Sequence, residues 1–417
     1  MKKEEVDVLV IGAGPSGCVA SAYLFNHGAK VKVVEKSKFP RFVIGESFLP
    51  RSMEHYEEAG LLEALKARNF EIKAGARFIR GEQICNFDFS DKFGTGWDWT
   101  WQAPRADFDN TLAQEVIRKG VDLEFETEVL DVQFDGTDSV TTVRNKEGET
   151  SEIKAKFIID SSGYGRVLPR LLGLDRPSNV TNNSAIFTHV KDESRVGGEE
   201  GTIITFDILE TQVWFWVIPF SNGNTSLGIV GPTSYINSLG DDTDAALREA
   251  IRRSDYYKDR YLDTEFIFKP HKIQDYSCKV SQICGPGYTL TGNSAEFLDP
   301  VFSSGVCFAT ESGLLSAKLF LKEQSGEKVD WQKEYSDYIR RGVSVFTTYV
   351  MEWYTGNLQT LFFHQPENPD VKRKICAVLA GYVWNQENPF VLKHDRVIRN
   401  MAYMLENGGK PEDLKVG

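Results

Sequence analysis

A glycine motif stands between two apolar runs near the N-terminus, and it constrains the fold more than any other feature of the chain. The first run, Val6 to Ile11, leads directly into G-x-G-x-x-G at Gly12, Gly14 and Gly17. Residues at helical spacing follow, and a second apolar run comes at Val31 to Val34. Such a turn brings backbone amides and the positive end of a helix dipole to a pyrophosphate. The sequence therefore predicts a Rossmann-type βαβ unit that binds a dinucleotide.

Each part of this unit has a defined task. Gly12 permits the tight turn, Gly14 lets the backbone approach the pyrophosphate, and Gly17 lets the helix pack on the strand. Glu35 follows the second run, where an acid accepts hydrogen bonds from ribose hydroxyls. Because an acid there disfavours a 2′-phosphate, NADP is not the predicted ligand. The cofactor-binding residues predicted in this unit are Gly12, Gly14, Pro15, Ser16, Gly17, Glu35 and Lys36.

The net charge argues against a nucleic-acid partner, and the spacing of the cysteines and histidines argues against a metal site. The 417-residue chain has a net charge of −12, whereas nucleic-acid binding requires clustered Lys and Arg. Its six cysteines form no C-x-x-C pair, and its six histidines show no H-x-H or H-x-x-x-H spacing. The sequence therefore predicts neither a nucleic-acid partner nor a metal site.

Hydropathy predicts no transmembrane segment. No apolar run approaches the roughly 18 to 20 residues that a membrane helix requires. The short apolar run near the N-terminus contains the three glycines of the βαβ unit, so we do not interpret it as a signal peptide. We therefore expect a cytoplasmic protein.

Four later segments carry a resemblance to one flavoprotein superfamily. They are FPRFVIGESFLP (39–50), PRADFDNTL (104–112), FIIDSSGYGR (157–166) and YTLTGNSAEFLDPVFSSGV (288–306). Their order is similar to that in the FAD-dependent aromatic hydroxylase superfamily, which also contains geranylgeranyl reductases and flavin-dependent halogenases. The resemblance implies FAD as cofactor and an α/β fold with a Rossmann-type FAD-binding domain.

The resemblance also implies where the segments lie along FAD. The GES turn and the Arg of the PR pair lie along the cofactor, the D-x-x-G strand end lies near the adenosine, and the last segment reaches the ribityl chain and the ring. In place of the superfamily's acid in that last segment, this chain has Asn293, whose amide still accepts a hydrogen bond but lacks the charge. The residues implied are Arg41, Ser47, Arg105, Asp160, Gly163, Asn293, Asp299, Pro300 and Gly305.

The string VWFWVIPF contains the pattern W-x-W-x-I-P, with Trp214 and Trp216 two residues apart. Alternating aromatics fit a strand buried on both faces, and they can be core alone. The same pattern is the signature of flavin-dependent halogenases, in which it is taken to block direct approach of substrate to the flavin. The resemblance thus implies that the two indoles form a barrier on the substrate side.

Lys73 is the candidate catalytic residue, in the pattern K-x-G-x-x-F with Gly75 and Phe78. The resemblance implies that it lies between flavin and substrate, as the essential lysine of halogenases does. An amine can polarise hypohalous acid by a hydrogen bond or trap it as a haloamine. A desolvated lysine also has a depressed pKa, which favours the nucleophilic amine. Taken alone, Lys73 would be interpreted as a solvated surface lysine, since the chain has 48 Lys and Arg. Its position in K-x-G-x-x-F ahead of the PR segment favours the functional interpretation.

The segment FSSGV resembles the halide site of halogenases. The resemblance implies that Ser304 and Gly305 hold the halide by backbone amides at a helix N-terminus. Tryptophan halogenases have a glutamate where this chain has Phe302, which we place on the substrate side. This difference favours the branch that acts on phenols, pyrroles or carrier-tethered aromatics, because an activated ring needs less help to lose its proton.

Three regions are predicted from these motifs and from the strand-like and helix-like segments between them. A sheet of antiparallel strands is expected to cover the flavin, and helices with aromatic stripes are expected to cover the substrate cavity. The ranges are an FAD-binding domain at 1–70, 103–180 and 276–330, an inserted β-sheet substrate domain at 71–102 and 181–275, and a C-terminal helical region at 331–417.

Three functions fit these observations. The first is a two-component halogenase of an electron-rich aromatic, free or carrier-tethered, with halide and a separate flavin reductase as partners, because no second nucleotide fingerprint follows the first. The second is an FAD-dependent monooxygenase, or a reductase/dehydrogenase of the geranylgeranyl reductase type, in which the tryptophans are core. The third is a non-catalytic flavin-binding protein, marked by Asn293.

Overall fold

The computed structural model describes residues 2–178, 182–274, 276–364 and 369–408. Within these ranges no helix has the length and hydrophobicity required to cross a membrane. The same ranges contain no group of three or more His, Cys, Asp or Glu side chains that could hold a metal ion.

Strands form two large sheets and two short pairs in the described ranges. In chain order they are β1 (Lys2–Ile11), β2 (Val31–Val34), β3 (Glu71–Lys73), β4 (Gly75–Arg80), β5 (Gln83–Asp88), β6 (Thr100–Gln102), β7 (Asp122–Glu124), β8 (Glu128–Asp135), β9 (Asp138–Arg144), β10 (Thr150–Asp160), β11 (Asp175–Arg176), β12 (Asn183–Lys191), β13 (Thr205–Glu210), β14 (Val213–Pro219), β15 (Asn224–Pro232), β16 (His271–Gln274), β17 (Lys279–Val280), β18 (Cys284–Gly285) and β19 (Tyr288–Leu290).

Helices cover the sheets and make up most of the described C-terminal part. In chain order they are α1 (Pro15–Asn26), α2 (Arg51–Glu58), α3 (Leu62–Lys66), α4 (Arg105–Lys119), α5 (Val167–Leu171), α6 (Glu199–Thr202), α7 (Thr233–Ser238), α8 (Thr243–Arg253), α9 (Lys258–Tyr261), α10 (Ser304–Gln324), α11 (Tyr338–Tyr354), α12 (Asn357–Phe363), α13 (Pro369–Leu379), α14 (Pro389–Leu392) and α15 (His394–Glu406). A π-helical segment, Trp331–Asp337, precedes α11.

The first sheet is the predicted Rossmann-type sheet. Its path is β18-β19-β10-β1-β2-β7, and β19, β10, β1, β2 and β7 run parallel. The register pairs Ile11 with Val34 on one side and with Asp160 on the other. The carboxyl ends of three strands therefore meet at one edge, where open α/β sheets bind their ligands. The predicted fold class is confirmed.

The second sheet is a seven-stranded, mostly antiparallel sheet with the order β16-β12-β15-β14-β13-β4-β5. It combines strands from both pieces of the predicted substrate domain. Every residue of β14 is buried, because β13 and β15 flank it and both of its faces are covered. The W-x-W-x-I-P pattern is therefore a central strand, as its alternating aromatics predict.

The C-terminal helices pack against this sheet. One hydrophobic cluster joins residues of β14 to α11, α12, α13 and α15, and it includes Trp214, Trp353 and Phe362. The domain boundaries remain a prediction: those drawn at 180/181 and at 275 fall on residues outside the described ranges, as does the end of the region that we assigned to 331–417.

A buried charge network ties α10 to the two helices beside it. Glu311 accepts hydrogen bonds from Arg51 Nε at 3.0 Å, His55 Nε2 at 2.7 Å and Tyr338 OH at 2.9 Å. Burial by itself raises the pKa of Glu311, but the interactions with His55 and Arg51 outweigh burial and hold that pKa well below its usual range. A depressed carboxyl pKa stabilises the folded state above the unfolded-state pKa of about 4.3, and this contribution is lost only in strong acid.

Glu311→Gln is expected to lower the free energy of unfolding by about 3 kcal/mol, because one partner of a buried ionic network is removed and the others stay buried. Chemical denaturation at neutral pH measures the change. Tyr338→Phe is the matched control: it deletes a single hydrogen bond to the same carboxylate and should cost about 1 kcal/mol. Equal losses in the two variants would contradict the prediction.

Candidate active site

One cavity of about 580 Å³ extends from the carboxyl edge of the first sheet to the inner face of the second. Its volume lies in the range of small-molecule and cofactor sites. Fifteen of the predicted site residues line it, namely Gly12, Gly14, Pro15, Ser16, Glu35, Lys36, Arg41, Ser47, Arg105, Gly163, Trp214, Trp216, Asn293, Pro300 and Gly305. Six others are not among its described lining residues, namely Gly17, Lys73, Asp160, Asp299, Phe302 and Ser304.

The glycine turn forms one end of the cavity, and it has no space for a Cβ at Gly12 or Gly17. Gly12 has φ +100, and a Cβ there would lie 2.5 Å from the Ser161 carbonyl oxygen. A Cβ on Gly17 would lie 1.9 Å from the Gly12 carbonyl oxygen, so α1 can approach the turn only with glycine at this position. Gly14 and Ser16 line the cavity beside this close contact between α1 and the turn, and a pyrophosphate in the cavity can reach the N-terminus of α1.

Glu35 stands at the end of β2 and is held by backbone amides. Its Oε2 accepts from Ala13 N at 2.9 Å, and its Oε1 accepts from Ser37 N at 2.8 Å. Each carboxylate oxygen can accept a second hydrogen bond, so the side chain keeps acceptor capacity for ribose hydroxyls. The residue lines the cavity, as a ribose-binding acid must.

Two arginines line the cavity around one buried carboxylate. Arg105 Nε donates to Asp109 Oδ1 at 2.7 Å, and Arg41 Nη1 donates to Asp109 Oδ2 at 3.0 Å. Asp109 fixes both guanidinium groups without neutralising both charges. The pair therefore presents net positive charge, which suits the phosphates of a dinucleotide. Asp109 was not among the predicted site residues, although its spacing of four from Arg105 on one helix indicated the contact.

Asp160 lies behind the cavity and binds protein groups. Its carboxylate accepts from Ser162 N at 2.9 Å, Leu168 N at 2.7 Å and Ser294 Oγ at 3.0 Å. These bonds fix the turn that carries Gly163 and the N-terminus of α5. Asp160 therefore supports the cavity wall from behind, and the neighbouring Gly163 lines the cavity.

Asn293 lines the cavity where the superfamily has an acid. Its backbone oxygen accepts from Arg166 Nη1 at 2.9 Å, which fixes the turn. Asparagine in place of the acid therefore removes one negative charge from the cavity wall, while the bond from Arg166 still holds the backbone of the turn.

The two tryptophans of β14 line the opposite end of the cavity. Trp214 Nε1 donates to Tyr354 OH at 3.0 Å, and Trp216 Nε1 donates to Ser226 Oγ at 3.0 Å. Both indoles are thus fixed at their polar edge, as buried tryptophans require. Their ring centroids are 6.0 Å apart, and together they form a rigid part of the cavity wall.

Asp299 connects this wall to the turn that precedes α10. Its carboxylate accepts from Tyr354 OH at 3.1 Å, Tyr276 OH at 3.2 Å and Val301 N at 3.1 Å. Burial raises the pKa of Asp299 to about 6, which the hydrogen bonds from its partners only partly counter. Asp299 therefore positions Trp214 through Tyr354. Tyr354 comes from the C-terminal helix α11, and no sequence motif indicated it.

Gly228→Ala is expected to displace Trp216. The two residues are paired across β14 and β15, and an added Cβ would lie 2.3 Å from the indole ring. Relieving this overlap moves the ring and strains its bond to Ser226, at a cost of roughly 1–3 kcal/mol. Thermal denaturation and the tryptophan emission spectrum report the two effects.

Gly197→Ala is the control for this change, because an added Cβ there meets nothing within 4 Å. It should leave both readouts unchanged. A Gly228→Ala protein with unchanged stability and emission would contradict the described packing.

Lys73 is enclosed directly behind the cavity wall. It ends β3, which pairs with β6, and only 3% of its surface is exposed. Its Nζ donates to Ser47 Oγ at 2.8 Å and to the Phe48 carbonyl oxygen at 2.9 Å. Burial lowers the pKa of Lys73 to about 7. The lysine is therefore not a solvated surface residue, and near neutral pH it can hold or release a proton.

The segment FSSGV lies at the start of α10 and contributes three predicted site residues, which point in different directions. Ser304 is the first residue of α10 and is buried, and Gly305 lines the cavity beside it. Phe302 points elsewhere: its ring packs against Tyr349 and Trp353 at centroid distances of 6.1 and 5.8 Å. The structure thus places Phe302 in the aromatic core beneath the turn, whereas the prediction placed it on the substrate side.

Glu46 is a buried acid of the cavity wall that was not predicted as a site residue. Its Oε1 is 2.7 Å from His189 Nε2. Its Oε2 is buried and has no hydrogen-bond partner among the described residues. A buried carboxylate oxygen requires a donor, so this atom fits a cavity that is completed by a ligand. Its position in the GES turn was the available signal.

Comparisons with known proteins agree with this geometry. The family model of the FAD binding domain matches residues 5–258. A pyrrole-2-carbonyl-[peptidyl-carrier protein] chlorinase of Pseudomonas fluorescens is 28% identical, over 95% of this chain and 94% of its own length. A flavoprotein/dehydrogenase structure from Cytophaga hutchinsonii is 50% identical, with TM-score 0.95, covering 97% of this chain and 100% of that one. The flavin-dependent brominase Bmp2 has 25% identity and TM-score 0.84 over 97% and 100%.

Proposed function

The chain belongs to the FAD-binding domain family and is an FAD-dependent oxidoreductase, and we propose that it is a two-component halogenase of an electron-rich aromatic substrate. The observation that carries this proposal is one continuous cavity that joins the dinucleotide turn to the tryptophan pair. Its two ends have different chemistry: one offers glycines, serines and arginines, and the other offers two fixed indoles. The buried Lys73 lies behind the wall at Ser47.

FAD fits the residues at the first end. Gly14 and Ser16 can hold the pyrophosphate, Glu35 the ribose, and Arg41 and Arg105 the negative charge. The unpartnered Glu46 oxygen is a further acceptor for a donor group of a cavity ligand. Once bound and reduced, FAD supplies with dioxygen the two-electron oxidation of a halide.

The roles at the second end follow from positions in the wall. We propose that Trp214 and Trp216 separate the flavin from the substrate, so that a mobile oxidant is required. Lys73 activates the resulting hypohalous acid. The halide lies at the N-terminus of α10, where Gly305 faces the cavity and Ser304 begins the helix.

The substrate class and the flavin reductase partner are inferred from the chemistry of the site and of the proposed reaction. This chain has the buried Phe302 at the position where tryptophan halogenases have a glutamate. A site without that glutamate suits an electron-rich ring, which needs less help to lose its proton. The relative from Pseudomonas fluorescens is named for a pyrrole attached to a carrier protein, so a carrier-tethered ring is one form of substrate and a free phenol or pyrrole is the other. A separate flavin reductase supplies reduced FAD.

A second candidate is an FAD-dependent monooxygenase or a reductase/dehydrogenase. The observation in its favour is the 50% identity to the Cytophaga hutchinsonii structure described as a flavoprotein/dehydrogenase. In that case the tryptophans serve as core only, and the substrate approaches the flavin directly.

Turnover with defined co-substrates separates the two candidates. The wild-type chain is given reduced FAD from a separate reductase, dioxygen, bromide, and either a phenol or a carrier-tethered pyrrole. Mass spectrometry is expected to detect the brominated ring. Hydroxylated product in the presence of bromide, or flavin-coupled dehydrogenation without dioxygen, would overturn the halogenase proposal.

A further inference from the structure

Ser47 lies between the Lys73 amine and the cavity. Lys73 Nζ contacts Ser47 Oγ at 2.8 Å and the Phe48 carbonyl oxygen at 2.9 Å. Ser47 lines the cavity, whereas Lys73 is not among the lining residues in the described part of the chain. Ser47 Oγ is therefore the polar atom that lies between the Lys73 amine and the cavity.

The hydrogen-bond directions at Ser47 depend on the charge of Lys73. A serine hydroxyl has two lone pairs and one donor hydrogen. Protonated Lys73 donates to one lone pair, and Ser303 Oγ donates to the other at 3.2 Å. The hydrogen of Ser47 is then available to a third partner, which a ligand in the cavity can provide because Ser47 lines it. Neutral Lys73 instead offers a lone pair, so Ser47 can donate to the amine and turn its hydrogen away from the cavity.

We propose that Ser47 is a proton relay, which passes the proton of Lys73 to the oxygen of hypohalous acid in the cavity. This inference rests on the proposed halogenase function. It adds a catalytic residue at the cavity wall and gives Lys73 a task that does not require the amine to enter the cavity.

The relayed step transfers the halogen to the ring and releases the oxygen of hypohalous acid as water. The ring carbon attacks the halogen, a carbon–halogen bond forms, and the oxygen–halogen bond breaks with its electron pair staying on oxygen. Ser47 gives its proton to that oxygen, which leaves as water, and Ser47 takes a proton from Lys73. The proton that the ring then loses to solvent is equivalent to the one that later returns to Lys73. No further oxidant is needed, because hypohalous acid is the oxidant.

Burial, and not a neighbouring charge, sets the pKa of Lys73 and with it the pH range of the relay. Burial lowers the pKa of Lys73 to about 7, and no charged side chain in the described part of the chain adds to this effect. Glu71, on the same strand, faces Arg195 at 3.8 Å. The Lys73 amine contacts the Ser47 hydroxyl and the Phe48 carbonyl oxygen, and it lies near the Phe89 ring. None of these groups carries a charge. The relay is therefore present below about pH 7 and is lost as the pH rises through that value.

The test compares wild type with Ser47→Ala, Ser47→Thr and Ser303→Ala, using bromide, reduced FAD, dioxygen and a phenol. Wild-type turnover is expected to fall above about pH 7. Ser47→Ala should lower turnover about 100-fold and remove this alkaline limb, because the hydroxyl that carries the proton is absent. Ser47→Thr should restore both, and Ser303→Ala should keep the limb, because the contact of Lys73 with Ser47 remains.

Two further readouts separate catalysis from folding and cofactor binding. FAD affinity is measured by flavin fluorescence, and free hypohalous acid is trapped with monochlorodimedone, which should collect more oxidant from Ser47→Ala than from wild type. The relay is overturned if Ser47→Ala keeps wild-type turnover and pH profile, or if Ser47→Thr fails although it binds FAD normally. If the wild-type chain itself makes no halogenated product, the proposed function fails together with the relay.

Discussion

Lys73→Met is expected to reduce turnover to halogenated product about 1000-fold, the range that a positioned proton donor contributes. The change removes the amine and keeps a side chain of similar length in a buried position. Because Lys73 is behind the cavity wall, the affinity for FAD should stay within a few-fold of wild type. Product formation and FAD binding are measured on the same preparation.

Lys92→Met is the matched control for this prediction. Lys92 is also buried, and its Nζ donates to the Gly96 carbonyl oxygen at 2.9 Å, away from the cavity lining. Both variants lose one buried amine and one or two hydrogen bonds to protein oxygens, so their effects on folding are comparable. If Lys92→Met lost activity to the same extent as Lys73→Met, a general loss of stability would be the explanation and the catalytic assignment would fall.

Gly17→Ala is expected to abolish FAD binding at micromolar cofactor. A Cβ at this position would lie 1.9 Å from the Gly12 carbonyl oxygen, which is backbone and cannot move aside without shifting α1 or the turn. A shift of that kind costs roughly 4 kcal/mol or more, and the pyrophosphate site loses its geometry with it. Flavin absorbance after gel filtration, with circular dichroism to assess folding, measures the outcome.

Gly14→Ala gives the comparison for Gly17→Ala within the same motif. A Cβ on Gly14 would lie 3.7 Å from Arg41 Nη2, an ordinary contact. We therefore expect a smaller loss of FAD affinity, on the order of 10-fold, because the methyl group approaches the phosphate but leaves the turn intact. Equal losses for the two alanines would show that the motif acts through phosphate contacts rather than through helix packing.

Local motifs identify the FAD end of the cavity because glycines and strand ends act over short distances. A glycine at Gly12 or Gly17 is required by neighbouring backbone, and parallel pairing then brings the ends of β1, β2 and β10 together. The order of the four superfamily segments adds the remaining walls. The glycine turn was predictable because local backbone geometry determines it, whereas the other walls were predicted only from the resemblance.

Side-chain direction could not be predicted from motif position. Asp160 and Asp299 occupy the expected segments, yet both carboxylates bind protein donors behind the wall. Phe302 occupies the expected turn, yet its ring packs into the core. Each choice depends on partners that are distant in sequence, such as Tyr354 of α11, and a buried polar atom turns to wherever donors are available.

The sequence by itself determined the Rossmann-type dinucleotide crevice and the burial of the W-x-W-x-I-P strand on both faces, because glycine conformation and hydrophobic periodicity are properties of contiguous residues. The assignment of FAD came from the resemblance of four distant segments. Only the tertiary structure decided that Lys73 lies behind Ser47 and that Trp214 is held through Tyr354 and Asp299. These contacts join segments 26, 140 and 55 residues apart, so packing of the whole chain sets them.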